Sequence, residues 1–275
     1  MKTHLLISLL FLLTFQSLAS GGNETQGARA SALGGASVTL YDAWSTTNNI
    51  GALGMIDQYQ MAVAYENRFF LPQVGMRSIA FAGPLGGGSI GVVGHNYGYA
   101  GYANNRLGLG YARKLSDYVS LGVQVDYVQV RMGDIYGSKS TLVGEVGVLI
   151  MPTEKIRLGA HVYNPTRSKL ANFDDERIPT SLRIGGQYIF SEKVSLLLEL
   201  DKDMDLKLNI KSGIEYTPVE SMFIRAGFAT AQNAFNLGFG YKWNGLQADV
   251  SANVSQNLGY SSTVALSYQF GKREK

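Results

Sequence analysis

The chain has 275 residues, a formal net charge of +3, 33 glycines, 16 tyrosines and no cysteine. The absence of thiols excludes a disulfide scaffold, a cysteine nucleophile and a cysteine-ligated metal. The small charge, with no basic tract, excludes nucleic acid as a partner.

Met1-Lys2-Thr3-His4 is a basic tip, and Leu5–Leu13 is an apolar run too short to cross a bilayer. With Ser17-Leu18-Ala19 as a small-residue cleavage site, residues 1–19 are expected to be a secretory signal peptide. Residues 20–57 do not alternate. They are rich in small side chains (Gly27-Ala28-Arg29-Ala30, then Ala32–Val38), followed by Asp42, Trp44 and Asn49–Leu53. Small residues fit tight spaces, so this segment is expected as a hatch inside a barrel mouth. The alternative is a flexible periplasmic leader.

Residues 58–270 contain about fourteen segments of alternating polar and apolar residues. The C-terminal ones are the clearest, at 234–243, 246–255 and 261–270. Asn244-Gly245 between the first two is a type I′ hairpin signal. Such segments are long enough to cross a bilayer when tilted. Aromatics at the ends of the apolar rows resemble interfacial girdles. A large soluble β-sandwich or barrel is the competing reading of the same alternation. The expected fold is all-β: an antiparallel transmembrane β-barrel of about fourteen strands with a short N-terminal plug. Short connections fall on one side and longer ones on the other, including a loop at Gly98–Asn104. Both termini then lie in the periplasm, with Gly271–Lys275 as a tail after Phe270. The terminal aromatic resembles the recognition signal of outer-membrane barrels.

Charges set the phase, because a lysine at the bilayer midplane costs about 2–4 kcal/mol. A segment over 206–216 sends Lys207, Lys211 and Glu215 inward and Leu206, Leu208, Ile210 and Ile214 outward. The same phasing turns Asp126, Glu145, Arg157, His161, Arg183 and Glu199 towards the lumen. It also turns Asp201, Arg225, Lys242 and Asp249 inward. Opposite charges on neighbouring strands pair, with Arg157 next to the strand of Glu145 and Glu199 between Arg183 and Lys211. The expected interior is wet and salt-bridged, which argues against an apolar tunnel.

No catalytic constellation stands out. His95 and His161 are isolated, and there is no nucleophile elbow or phosphate loop. Asp174-Asp175-Glu176 sits beside Arg167, Lys169 and Arg177 and reads as a self-neutralising loop, with no metal expected. No cofactor is expected, and the chain is not expected to be an enzyme. Tyr97, Tyr99 and Tyr102 offer a partner-binding surface, with an ordinary aromatic girdle as the alternative.

Gly27-Ala28-Arg29-Ala30, Leu33-Gly34-Gly35-Ala36, Asp42, Trp44 and Asn49-Ile50-Gly51-Ala52-Leu53 resemble the opening of the PorV/PorQ group of the FadL-like superfamily. The last box departs from the group's Asn-Pro-Ala-Gly-Leu pattern. The resemblance implies a fourteen-stranded barrel in the bacterial outer membrane. Arg29, Gly34, Gly35, Asp42, Trp44 and Asn49 become the hatch residues. It implies an accessory role in type IX protein secretion of Bacteroidetes-type bacteria, with secreted cargo or secretion machinery as partners. The other role it implies is a FadL-like or porin-like channel for small molecules, gated by the N-terminal segment.

Overall fold

The computed structural model describes residues 25–71, 74–99, 101–133, 137–170, 177–256 and 259–271. The signal-peptide stretch, Asp174-Asp175-Glu176 and the tail beyond Gly271 lie outside these residues. The first half of the wall comprises β1 (Tyr59–Asn67), β2 (Met76–Leu85), β3 (Gly88–Tyr99), β4 (Tyr102–Lys114), β5 (Val119–Met132), β6 (Ser138–Thr153) and β7 (Ile156–Tyr163). The second half comprises β8 (Ser181–Ser191), β9 (Val194–Asp203), β10 (Asn209–Val219), β11 (Met222–Ala229), β12 (Ala234–Trp243), β13 (Leu246–Ser255) and β14 (Gly259–Phe270). Each strand pairs antiparallel with its sequence neighbours, and β1 pairs with β14 to close the barrel. Closure leaves no unpaired sheet edge, the condition for strands to cross lipid.

Alternation decides which way each strand faces. Leu107 and Leu109 on β4, Val123 and Val125 on β5, and Phe235 and Leu237 on β12 all point outward. Their neighbours Arg106, Gln124, Asp126 and Asn236 are buried inside. An apolar exterior around a polar interior inverts the arrangement of a water-soluble barrel, and it defines a membrane-spanning wall. At the short-turn end, Tyr59 stacks on Phe81 and Phe270 with ring centroids 6.2 and 5.8 Å apart, and Tyr188 meets Phe190 edge-on at 4.7 Å. These rings sit where one side of a side chain meets apolar chains and the other meets water. The β12–β13 turn has φ of 46° at Asn244 and 83° at Gly245, the positive pair that a type I′ turn demands.

The structure departs from expectation at β10 and at the β3–β4 connection. The β10 wall starts at Asn209, where Asn209 Oδ1 accepts from Ala231 N and Thr230 Oγ1 accepts from Ile210 N. It extends through Pro218 by a register shift between Tyr216 and Val219. Lys207 therefore lies before the strand, exposed at the loop end, and is not a lumen residue. The ladder of β2 with β3 runs to the turn, with Pro84 opposite Ser89. The Gly98–Asn104 loop is largely strand: Tyr99 pairs with Tyr102 across a tight hairpin.

Residues 25–57 occupy the lumen. They form helix α1 (Ala28–Ala32), helix α2 (Ser45–Asn48) and a 3-10 turn (Ile50–Met55). Helix α1 rests on β11–β14, and the 3-10 turn rests on β3–β7. Trp44, Ile50, Leu53 and Ile56 bury themselves against Ala62, Ala80, Ala82, Val93 and Ala112 of the wall. Fourteen strands enclose more space than wall side chains alone fill, and this segment takes it up.

Candidate functional site: a plugged lumen

The wall meets the plug through inward-facing glycines. A Cβ on Gly147 would overlap Asn49 Oδ1 and Gly51 N. One on Gly213 would overlap Leu33, and one on Gly159 would overlap Val38 O. The plug reciprocates with Gly34 (φ 69°), which lies on the backbone of Phe228. Backbone therefore lies against backbone across the lumen, which explains much of the glycine content.

Three charge clusters sit around this contact. On β4–β7, Arg106 bridges Asp126 Oδ2 (2.8 Å) and Glu145, and His161 Nε2 lies 2.9 Å from Glu145 Oε2. Gln124 Nε2 links this cluster to the plug, donating to Asp126 Oδ1 (2.9 Å) and to Thr46 O (2.7 Å). On β8–β10, Arg183 Nε donates to Glu199 Oε1 (2.8 Å). Lys211 Nζ lies 3.2 Å from that oxygen and 2.7 Å from Asp201 Oδ2. The other oxygen of Glu199 accepts from the plug amides of Ser37 (2.7 Å) and Val38 (2.8 Å). Arg183 adds bonds to Asn48 O (3.1 Å) and Ser37 Oγ (2.6 Å). On β10–β13, Arg225 joins Glu215 (2.6 Å) to Asp249 (2.5 Å). Arg29 of the plug grips both oxygens of Glu215 at 2.9 and 2.7 Å.

The remaining hatch residues complete the seat. Asn49 Nδ2 donates to Val38 O (2.7 Å) and to Val148 O on β6 (3.0 Å), while its Oδ1 accepts from Gly51 N (3.0 Å). Asp42 Oδ1 accepts from Trp44 N (2.9 Å). Burial raises the Asp42 carboxyl above its ordinary range, against the pull of Arg29 at 3.8 Å. Burial alone would lower the Arg29 guanidinium, but Glu215 outweighs it and raises the group, so Arg29 stays charged. Gly35 turns the chain at φ 81° after α1, and Trp44 covers Gly27.

Arg157 stands apart. It lies six residues from Tyr163, the partner of Glu145, or roughly 20 Å along the strand. The expected pairing with Glu145 is therefore out of reach. Its neighbours are Gln187 Oε1 and Tyr41 OH, each at 3.3 Å. Lys242 donates to Gln269 Oε1 (3.1 Å) near the turn end. Arg106 is a lumen residue that the sequence reading passed over. Its signal was present in the outward Leu107, Leu109 and Tyr111, which force Arg106 inward. His95 is half-buried.

Most lumen charges are paired with one another and with the plug, whereas Arg157 and Lys242 bond neutral partners. On the loop side the lumen turns apolar: Val128, Val130, Val143 and Tyr163 pack with Leu170 and Ile178 of the β7–β8 connection. A charged belt around the plug and an apolar layer above it therefore share the lumen. Tyr97 and Tyr102 meet edge-on at 6.4 Å, Arg68 covers the Tyr97 ring at 4.9 Å, and Tyr99 is exposed.

Fold and lumen together define a closed, plugged membrane barrel of fourteen strands. No protein-family profile and no curated protein matches the sequence. Solved structures do match the fold. The Ralstonia pickettii toluene transporter TbuX aligns with a TM-score of 0.67 at 13% identity, over 90% of this chain and 99% of that one. The Pseudomonas putida toluene transporter TodX aligns at 0.67 and 12%, over 91% and 98%. A Pseudomonas aeruginosa FadL homologue aligns at 0.61 and 14%, over 90% and 99%. The fold is thus that of FadL-type outer-membrane barrels.

Proposed function

We propose that this protein is an outer-membrane channel for small, predominantly apolar molecules, closed at rest by its N-terminal segment. The observation that carries this reading is the plug. It fills the lumen, yet it is held only by hydrogen bonds, ion pairs and close packing, all of which are reversible. The layer on its loop side is a packed apolar cluster, which an uncharged solute could enter by displacing Leu170 and Ile178 of the β7–β8 connection. The matched transporters are named for toluene and monoaromatic hydrocarbons, which makes toluene the first substrate to try. Cells producing the protein are expected to take up labelled toluene faster than cells with an empty vector. Purified protein in planar bilayers is expected to conduct little until residues 21–53 are deleted. Equal uptake by the two cell types, or a deletion that leaves conductance unchanged, would refute the reading.

The sequence resemblance supports a second reading, an accessory barrel of PorV/PorQ type in type IX secretion. The observation in its favour is the β3–β4 hairpin, which carries Tyr99 53% exposed at the loop end. Pull-down of secreted or machinery proteins that is lost in Tyr99→Ser tests it. Retention of the same partners in that variant removes the hairpin from the proposal.

A further inference from the structure

A cavity of about 350 Å³ lies on the turn side of the plug, between Leu40 and Tyr41 and the ends of β7–β10. Arg157 of β7 and Gln187 of β8 form its polar side with Ser195 of β9, while Ile189 and Val194 give it a smaller apolar part. The position of Arg157 is unusual for this lumen. Among the described residues, Arg29, Arg106, Arg183 and Arg225 each hold at least one carboxylate. Arg157 holds none. Its two protein acceptors are neutral and distant, at 3.3 Å each, and its guanidinium carbon sits over the Tyr41 ring, 4.7 Å from the centroid. A guanidinium carries five donors in a fixed fork, so donors remain for a ligand. Arg29 also lines the cavity, but Glu215 occupies it. Glu192 and Lys193 at the exposed rim offset each other in charge. The lining therefore carries one more cation than carboxylate, with Arg157 the arginine that makes no ion pair, and a smaller apolar part at Ile189 and Val194.

We propose that this cavity binds a small organic carboxylate, its two oxygens on the Arg157 fork and its apolar body against Ile189 and Val194. Planar bidentate pairing is the geometry in which arginine is selective for carboxylates. The apolar part favours an organic anion over a bare inorganic one. The tyrosine beneath holds the guanidinium in place, so little order has to be gained on binding. The site faces the short turns, away from the apolar layer, and its occupancy can be measured at equilibrium whether or not the lumen conducts.

The test is calorimetry on the full-length protein in detergent at neutral pH, with benzoate, benzyl alcohol and inorganic phosphate as probes. Benzoate is expected to bind at one site, with the alcohol and phosphate at least about tenfold weaker. Arg157→Gln is expected to weaken benzoate by about tenfold or more. Gln187→Glu keeps the arginine but places a carboxylate beside it, so it is expected to weaken benzoate to the same degree. Heat-modifiable mobility in gels checks that both variants keep the closed barrel. Absence of benzoate binding to the wild type overturns the proposal. So does equal binding of the alcohol or phosphate, or unchanged benzoate affinity in folded Arg157→Gln or Gln187→Glu.

Discussion

Glu199→Ala is the sharpest probe of how the plug is seated. In the seated state, Glu199 is 2% exposed. It takes hydrogen bonds from Arg183, Lys211, Ser37 N and Val38 N. Removing the carboxylate leaves a buried guanidinium and two plug amides short of their acceptor. Breaking a buried ion pair from one side costs about 3–5 kcal/mol. Arg183 keeps Asn48 O and Ser37 Oγ, which places the cost near the lower end, about 3 kcal/mol. That cost falls on the seated state. Once the plug leaves, Arg183 and Lys211 face water. The unseated fraction therefore rises on the order of a hundredfold. The chain has no native cysteine, so Ala36→Cys, at a plug position 1% exposed, reports unseating through its rate of maleimide labelling. The expected result is labelling on the order of a hundredfold faster in the Glu199→Ala background. A change below about threefold, less than 1 kcal/mol, in a barrel that still shows heat-modifiable mobility would refute the argument that this carboxylate holds the plug.

Further outcomes follow from the same geometry. Gly147→Leu collides with Asn49 and Gly51, whereas Gly144→Leu enters open space on the outer face. The first is expected to speed Ala36→Cys labelling, and the second to leave it unchanged. Asn49→Ala loses bonds to Val38 O, Val148 O and Gly51 N. Only the Val148 O bond joins plug to wall, and at about 1 kcal/mol for a neutral bond its loss is expected to speed the same labelling about fivefold. Leu109→Lys puts a cation near the middle of β4 on the lipid face. It is expected to lower the stability of the barrel in lipid vesicles by about 2–4 kcal/mol, read as a shift in the denaturant midpoint.

The wall was legible because lipid and water sort side chains with a period of two. The β12 and β13 bounds, 234–243 and 246–255, coincide with the alternation and with Asn244-Gly245 between them. Legibility failed where that period loses its contrast. Around Leu206-Lys207-Leu208, alternation continues past the end of the sheet, and only the hydrogen bonds of Asn209 and Thr230 mark where pairing starts. At the β3–β4 hairpin, glycines and tyrosines signalled a loop, yet Asn96 and Asn105 bond side chain to side chain at 2.6 Å and the ladder runs on. The charge pairs were only partly readable. Glu199 with Arg183 and Lys211 follows from neighbouring strands, but Arg157 and Glu145 lie at opposite heights of adjacent strands, and parity carries no height. The seat of the plug was least readable. Gly147, Gly159 and Gly213 are far apart in the sequence, and each resembles any strand glycine until Asn49, Val38 or Leu33 is seen against it.

The pairing of β1 with β14 joins the two most distant parts of the wall, from Tyr59 with Phe270 to Asn67 with Ser262. Ile56, Asp57 and Gln58 tie that first strand to the stopper. Closing so long a span carries the largest loop-closure entropy of any pairing in the wall, and the strand that makes it is tethered to the piece it encloses. The stopper is thus kept on a leash of three residues at the seam, so that even when unseated it cannot drift from the vessel it closes.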